Sequence, residues 1–550
     1  MNINEKIIKK IIAAKPASLK DFLLLKRKIC NQLGISLPSN ATLLSTYRQL
    51  LKTKKVKLNK VLEKLLIKGP VRTLSGVSVI TVLTKPWPCP GTCVYCPAEP
   101  NMPKSYLSNE PAAQRALRLT FNPFTQVQQR IKALEANGHQ VDKIEILILG
   151  GSWSAYPSRY QTWFIGRVFQ ACNIYNKKNC SYLGLTKEQK INETAKYKII
   201  GLTLETRPDL INEKEVKNLR QLGCTRVQLG VQHTDNKILQ LTKRGHTIED
   251  SIQATKLLKT AGFKVDHHYM PDLPGSTPAK DLKMFKRVFT STELMPDQIK
   301  IYPCIVNEYA PLYRWLQSGK YKPYTPKQLL ELLIKVKLLT PPWVRINRLI
   351  RDIPKESIKA GNKTTNLRQL LQNKMQAEKI TCQCLRCREV RSQNDKLNKA
   401  KLFIKIYPAS AGTEYFLSYE SPDQKTVYAF LRLRFNNPEE KNIFPELQNA
   451  SLVRELHVYG QMTPVYENKL STGLTQHQGL GKKLMAEAEK ITRKQGLNKI
   501  AVIAGIGVRN YYKKLGYKLV NTYMIKNINP VRNLGSRAEL DWVDKQNDKR

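Results

Sequence analysis

Six short apolar runs, separated by stretches of helical spacing, constrain this chain more than any other feature. They are GVSVITVLT (76–84), KIEILILGG (143–151), KIIGLTLET (198–206), RVQLGVQ (226–232), KVDHHYMPDLP (264–274) and QIKIYPC (298–304). Strands that alternate with helices pair in parallel, because each helix carries the chain back to the same end of the sheet. The expectation is an α/β fold, a partial (β/α)6 barrel of TIM type within residues 71–375, helical extension included. Periodicity leaves open whether the sheet closes.

At 550 residues the chain has room for a second core. From about residue 400 the pattern becomes antiparallel in character, with strands predicted over KLFIKIYPA, EYFLSYE, VYAFLRLRF and SLVRELHVYG. A helix over QGLGKKLMAEAEKITRKQG follows, then strand KIAVIAGIG, short helix RNYYKKLG and strand YKLVNTYMI. Residues 400–528 thus form a compact α+β domain. The remaining divisions are a basic helical segment (1–70), a cysteine-rich linker (376–399) inside a stretch (305–400) expected to be mostly helical, and a polar tail (529–550).

Lys and Arg number 92 against 43 acids, a formal charge of +49. Solubility needs far less, so the excess points to a polyanionic partner, nucleic acid ahead of an anionic membrane. Residues 1–70 concentrate it, with 16 Lys/Arg against three acids. No apolar run approaches the roughly 20 residues that span a bilayer, and the start scatters its charges too widely for a signal peptide. The 11 cysteines are odd in number and clustered, which fits a reducing compartment. The expectation is a soluble, cytoplasmic protein with no membrane partner.

Two cysteine groups carry chemistry. CPGTCVYCP places Cys89, Cys93 and Cys96 just after the first strand, at the face where such barrels keep their active sites. A structural zinc wants four ligands, and no fourth follows nearby. Three thiolates suit a 4Fe–4S cluster with one iron left open for S-adenosylmethionine. In CQCLRC, Cys382, Cys384 and Cys387 lie in a linker with little core of its own, which points to structural zinc. His457 is a fourth ligand by type, or else lines the site of the second domain. Arg386 and Arg388, interleaved with these thiols, are expected on RNA phosphate. The other five cysteines read as ordinary buried or half-buried thiols.

CxxxCxxC after the first barrel strand resembles the radical S-adenosylmethionine signature, and Gly150-Gly151 resembles that superfamily's motif for the methionine end of the cofactor. More specifically, the chain resembles the catalytic subunit of Elongator, from about residue 71 to 528. The segments that carry the resemblance include SYLSNEPAAQRA, ETRPDLI, GCTRVQLGVQ, FKVDHHYMPDLPG, CQCLRCREVR, RELHVYGQMTPV and QHQGLGKKLM. The resemblance implies a radical SAM barrel followed by a GNAT-type acetyltransferase domain. In QHQGLGK, Gln476, Gly479, Leu480, Gly481 and Lys482 open a helix whose exposed N–H groups bind the pyrophosphate of acetyl-CoA. Glu455, Leu456, His457 and Val458 line its pantetheine arm; Tyr511 and Tyr512 reach its acyl end, Tyr512 the better placed. Lys143 is implied as a further acetyl-CoA contact.

The implied reaction installs a carboxymethyl group on carbon 5 of the wobble uridine of tRNA. A 5′-deoxyadenosyl radical takes hydrogen from the acetyl group, the carbon radical adds to the base, and thioester hydrolysis follows. An electron donor is needed, and accessory subunits are possible partners. The rival readings are a protein lysine acetyltransferase with a vestigial barrel and a non-catalytic tRNA-binding scaffold. Intact cluster cysteines and loop glycines argue against both.

Overall fold

The structure, a computed structural model, describes residues 2–67, 76–176, 180–390, 397–460 and 479–528. The 70/71 boundary, part of the cysteine-rich linker, Gln476 and the 529–550 tail lie outside them.

Helices α1 (Ile3–Ala14), α2 (Leu19–Gln32), α3 (Asn40–Lys52) and α4 (Lys60–Leu66) start at Asn2, Ser18, Ser39 and Asn59, whose side chains accept from the first-turn amides. They enclose a core of their own, with Ile7, Ile8, Phe22, Leu43 and Tyr47 buried. Lys6, Lys10, Lys20, Arg27 and Lys28 stay exposed. Arg48 of α3 donates to the Gly138 carbonyl at 3.5 Å, which joins this unit to the barrel.

The expected strands appear as β1 (Ser78–Leu83), β2 (Lys143–Leu149), β3 (Lys198–Thr206), β4 (Arg226–Gln232), β5 (Lys264–Tyr269) and β6 (Gln298–Ile301). A short ribbon, β7 (Ile305–Val306) with β9 (Ala360–Gly361), flanks a seventh strand, β8 (Arg345–Arg348), in a stretch expected to be helical. The sheet runs β1-β2-β3-β4-β5-β6-β8, all parallel. Among the described residues β1 and β8 do not pair with each other, so the barrel stays open. Ile144, Ile146 and Ile148 of β2 point outward into the helical layer and are buried, while Lys143, Glu145 and Leu147 point inward.

The second sheet comprises β10 (Lys401–Pro408), β11 (Gly412–Glu420), β12 (Val427–Asn436), β13 (Ser451–Val458), β14 (Lys499–Val502), β15 (Lys518–Val520) and β16 (Tyr523–Asn527). YKLVNTYMI is a hairpin rather than one strand, since Asn521 adopts a left-handed φ of 52° and turns the chain. β13 and β14 are parallel neighbours in an otherwise antiparallel sheet, with helix Leu480–Lys494 between them in sequence.

A buried ion network joins the two sheets. Asp297, just before β6, takes Arg454 of β13 at 2.5 and 2.9 Å, and Arg454 also reaches Glu414 of β11 at 3.0 Å. Lys259, on a barrel helix, stands 3.8 Å from Asp297 and 3.7 Å from Glu414. The loop after β14 then lies directly on β3. A Cβ on Gly505 would stand 2.0 Å from the Ile200 carbonyl oxygen, so this approach requires glycine.

Candidate active site

The loop after β1 carries the first cysteines and is stitched to its surroundings through the backbone. Val94 donates to the Thr242 carbonyl at 3.1 Å, and Leu312 donates to the Val94 carbonyl at 2.8 Å. The Cys89 thiol accepts from the Gly91 amide at 3.4 Å, and Cys93 accepts from Arg244 at 3.5 Å. Burial would push the Cys93 thiol up, but the charge and hydrogen bond of Arg244 bring it below its ordinary value. Burial, then the Cys93 thiolate, push Cys96 up to about 12. Cys93 and Cys96 are therefore not both ionised here without added positive charge, which cluster irons provide. Cys382, Cys384 and Cys387 bring all three sulfurs within 4.8 Å of one another, as ligands of one tetrahedral ion do.

Gly150 and Gly151 end β2 beside this loop, with φ of 135° and 95°. A Cβ on Gly150 would fall 1.8 Å from Thr84 Oγ1. The next residue, Ser152, places its hydroxyl 3.6 Å from the Cys89 sulfur. The glycine pair and the cysteine loop are thus one structure.

Below them the barrel interior is polar. Tyr106 donates to Glu205 at 3.4 Å, and His268 lies 3.5 Å from the other oxygen of that carboxylate. Lys300 donates to Gln228 at 2.6 Å, and Gln228 donates to Asp266 at 3.1 Å. Arg226 binds Glu145 at 2.7 Å near the N-terminal mouth. Burial lowers Lys300 to about 8 and holds His268 neutral. His268 Nε2 and Asp266 Oδ1 are buried without a partner among the described residues.

At that mouth the second sheet arrives. Lys264, the first residue of β5, binds Glu455 of β13 at 2.5 Å, and Arg432 of β12 holds the other oxygen at 3.0 Å. His457 packs between Phe430 and Tyr459, with centroids at 5.7 and 4.4 Å. Burial lowers it to about 4, so the ring is neutral, and its Nε2 has no partner among the described residues. Lys143 starts β2 two residues before Glu145 and shares its inward face. β13 and β14 pair only from Ser451↔Ile500 to Val453↔Val502, and β13 runs on to Val458 without that neighbour.

Gly479 caps helix Leu480–Lys494 in the left-handed region, φ 71°, with no side-chain cap bond. A Cβ there meets nothing within 4 Å. One on Gly481 would lie 3.0 Å from the Tyr511 hydroxyl, 3.6 Å from Val458 and 3.9 Å from Leu456. The fold therefore brings Gly481, Leu456, Val458 and Tyr511 together; Lys482 follows in the same helical turn. Tyr512 is buried in the core of this domain, 6.0 Å from the Tyr517 ring.

The second cysteine group sits where β8 meets the second sheet, with Leu385 donating to the Val344 carbonyl at 3.0 Å. Lys337 donates to Cys387 at 3.4 Å. His457 is not part of this sulfur cluster. Arg388 corrects an expectation: it is buried, bound to Glu420 at 2.6 Å and to the Pro342 carbonyl at 2.9 Å, and faces no solvent phosphate.

Two family patterns match the chain, the Radical SAM superfamily over residues 89–287 and the Radical_SAM C-terminal domain over 296–377. A tRNA uridine(34) acetyltransferase from Methanocaldococcus infernus is 43% identical over 90% of this chain and 93% of its own. Human Elongator complex protein 3 is 39% identical over 85% of this chain and 87% of its own. The chain belongs to the Elongator complex protein 3 family. A solved structure, archaeal Methanocaldococcus infernus Elp3 with an N-terminal deletion, superposes with a TM-score of 0.71 at 41% identity, covering 82% of this chain and 99% of that one. The fold is accordingly the family's radical SAM partial barrel followed by a GNAT-like α+β domain.

Within this Elongator-type frame, the polar seam is what sequence reading missed. Its signal was present as polar residues at alternate positions of β3, β4, β5 and β6, namely Thr203, Glu205, Arg226, Gln228, Asp266, His268, Gln298 and Lys300. Strands of a parallel sheet covered on both faces are otherwise nearly continuous in apolar residues.

Proposed function

We propose that this protein is the tRNA carboxymethyluridine synthase that its family membership implies, an acyltransferase joining an acetyl-CoA-derived carboxymethyl group to carbon 5 of the wobble uridine. The supporting observation is the ion pair of Lys264 with Glu455, which sets the acyl-CoA groove against the N-terminal mouth of a barrel whose other end carries Cys89, Cys93 and Cys96. A protein acetyltransferase with a vestigial barrel would have no use for a polar seam between these ends. Among the described residues no helix is long and apolar enough to cross a membrane.

A 4Fe–4S cluster on Cys89, Cys93 and Cys96, when bound, supplies one-electron reduction of S-adenosylmethionine. Arg244 offsets the thiolate charge, and Gly150, packed on Thr84, and Gly151 present bare backbone to the cofactor's methionine end. The amides opening helix Leu480–Lys494, with Gln476, Gly479, Gly481 and Lys482, take the acetyl-CoA pyrophosphate. Glu455, Leu456, His457 and Val458 flank the pantetheine arm, while Lys143 and Tyr511 attend the acyl end and Tyr512, in the core, backs Tyr511 with ring centroids at 5.2 Å. Neutral His457 can accept a proton at Nε2 from water attacking the thioester. Cys382, Cys384 and Cys387 hold a zinc ion that pins β8 to the second sheet. The working parts are a tRNA-binding helical segment (1–70), the barrel (71–375), the zinc linker (376–399), the acetyltransferase domain (400–528) and a tail (529–550), in a cytoplasmic setting with an electron donor and, as further partners, accessory subunits.

The test is anaerobic incubation of the reconstituted protein with tRNA, acetyl-CoA, S-adenosylmethionine and a reductant, followed by nucleoside mass analysis. Carboxymethyluridine that requires all three substrates supports the reading. Acetylated protein lysine with unmodified tRNA refutes it.

A further inference from the structure

The loops that carry Cys89 and the glycine pair, with the helix Ser158–Asn173 that follows, also carry an aromatic ladder whose end rungs belong to neither cofactor site. Trp87 stacks on Tyr156 at 5.8 Å and 30°, and Tyr156 stacks on Tyr160 at 5.2 Å and 21°. Tyr160 then meets Trp163 at 5.8 Å. The lower rungs are anchored. Tyr156 donates to the Gly150 carbonyl at 3.0 Å and shares a 2.7 Å bond with Thr84. The Trp87 indole N–H donates to the Ala155 carbonyl at 3.0 Å, so its polar edge is satisfied and its ring is fixed.

Even so, Trp87 remains 36% exposed and Trp163 39% exposed. Exposed indoles at both ends of a rigid ladder are a surface made for contact rather than packing. The Lys85 ammonium lies 5.7 Å from the Trp87 ring centroid and 5.1 Å from that of Tyr160. Arg159 and Lys85 are exposed around the same patch, whereas exposed carboxylates are missing from 84–90 and 155–163. An aromatic face fringed with cations fits a base and its phosphate; a hydrophobic protein partner has no need of the cations.

We propose that Trp87, with Lys85 beside it, is a stacking platform for a base of single-stranded RNA adjoining the reacting nucleotide. The inference rests on the tRNA-modifying function above. A nucleotide drawn out of a loop for chemistry leaves its neighbour without a stacking partner, and an indole two residues from a cluster cysteine replaces it. The sugar-phosphate then runs past Lys85. Stacking tolerates any base, so the platform supports geometry rather than sequence choice.

The experiment uses the full, cluster-loaded chain and a stem-loop RNA with 2-aminopurine next to the loop uridine. Wild-type protein should quench the 2-aminopurine fluorescence on binding. Trp87→Ala should bind roughly tenfold more weakly, with quenching abolished, since a base–aromatic stack is worth about 5- to 150-fold by alanine substitution. Trp87→Phe should retain most of the affinity. The salt dependence should be unchanged in Trp87→Ala, whereas Lys85→Ala should flatten the slope of log affinity against log salt by about 0.7. Iron content reports that each variant is intact. If wild type binds the RNA and Trp87→Ala binds within about twofold of it with quenching retained, the platform is refuted while the functional reading stands. If wild type binds no RNA, both fall. Protection of Trp87 by a protein partner, with RNA binding indifferent to its removal, also overturns the proposal.

Discussion

Glu455→Gln should loosen the joint between the two sheets by about 3 kcal/mol at neutral pH. In the wild type one carboxylate accepts from Lys264 at 2.5 Å and Arg432 at 3.0 Å. Burial alone would raise its pKa, but those two cations bring it from 4.5 to about 2. That difference is worth about 3 kcal/mol, at about 1.4 kcal/mol for each tenfold change in proton affinity. Removing one partner of a buried ion pair costs about 3–5 kcal/mol by mutation, so the two routes agree. The sign follows from the folded pKa lying below the ordinary value. The stability is fully present above pH 4.5 and is lost as pH falls through that value toward about 2. Glutamine does not titrate there. The assay is urea unfolding followed by fluorescence, to which Trp343 reports from the joint, stacked on Tyr407 at 4.3 Å. At pH 7 the variant's midpoint should drop by roughly 1 M or somewhat less, the slope being large for a chain of this size. Below pH 4.5 the gap between the two proteins should close by about 1.4 kcal/mol per unit. A gap under about 1 kcal/mol at pH 7, or one that stays constant on acidification, would refute the argument that this carboxylate is charged and doubly paired.

Three further outcomes are expected. Cys93→Ser should lose iron and the brown cluster absorbance, and with them uridine modification, while tRNA affinity changes little; full activity in this variant would end the radical reading. Gly479→Leu should weaken acetyl-CoA binding, measured by calorimetry, because its side chain enters open space before the helix amides and strains a φ of 71°; normal binding would place the phosphate site elsewhere. Deleting residues 1–60 should lower tRNA affinity and flatten its salt dependence, by about 0.7–0.9 of slope for each phosphate no longer neutralised. The segment's separate core allows the cut without emptying the barrel's, and an unchanged salt slope would leave its lysines merely solvated.

Much of the site is legible in the amino-acid sequence. Cys89, Cys93 and Cys96 are within eight residues, and Gly479 and Gly481 within three, so their grouping is written in the chain itself. The alternation of apolar runs likewise specifies a parallel sheet, since side-chain period and crossover length are local properties. β8 escaped because four residues, Arg345 to Arg348, are too few for periodicity to register. The placement of Tyr511 near Gly481 with Tyr512 in the core escaped too, because adjacent residues of one short helix differ only in direction.

What the chain alone determined was the contents of each part: two cores, a thiolate loop, a phosphate-binding helix start and a basic front. Tertiary structure decided how they meet. Lys264 and Glu455 are 191 residues apart, and Asp297 and Arg454 are 157 apart. No local pattern marks either pair, because each residue is an unremarkable charge until burial removes its water and leaves the partner as the remaining source of compensation. The same holds for Glu205, Asp266, His268 and Lys300, whose alternate spacing shows only that they share a face. Curling the sheet turns that face into an interior, and only then do separate polar residues become one seam between the two ends of the barrel.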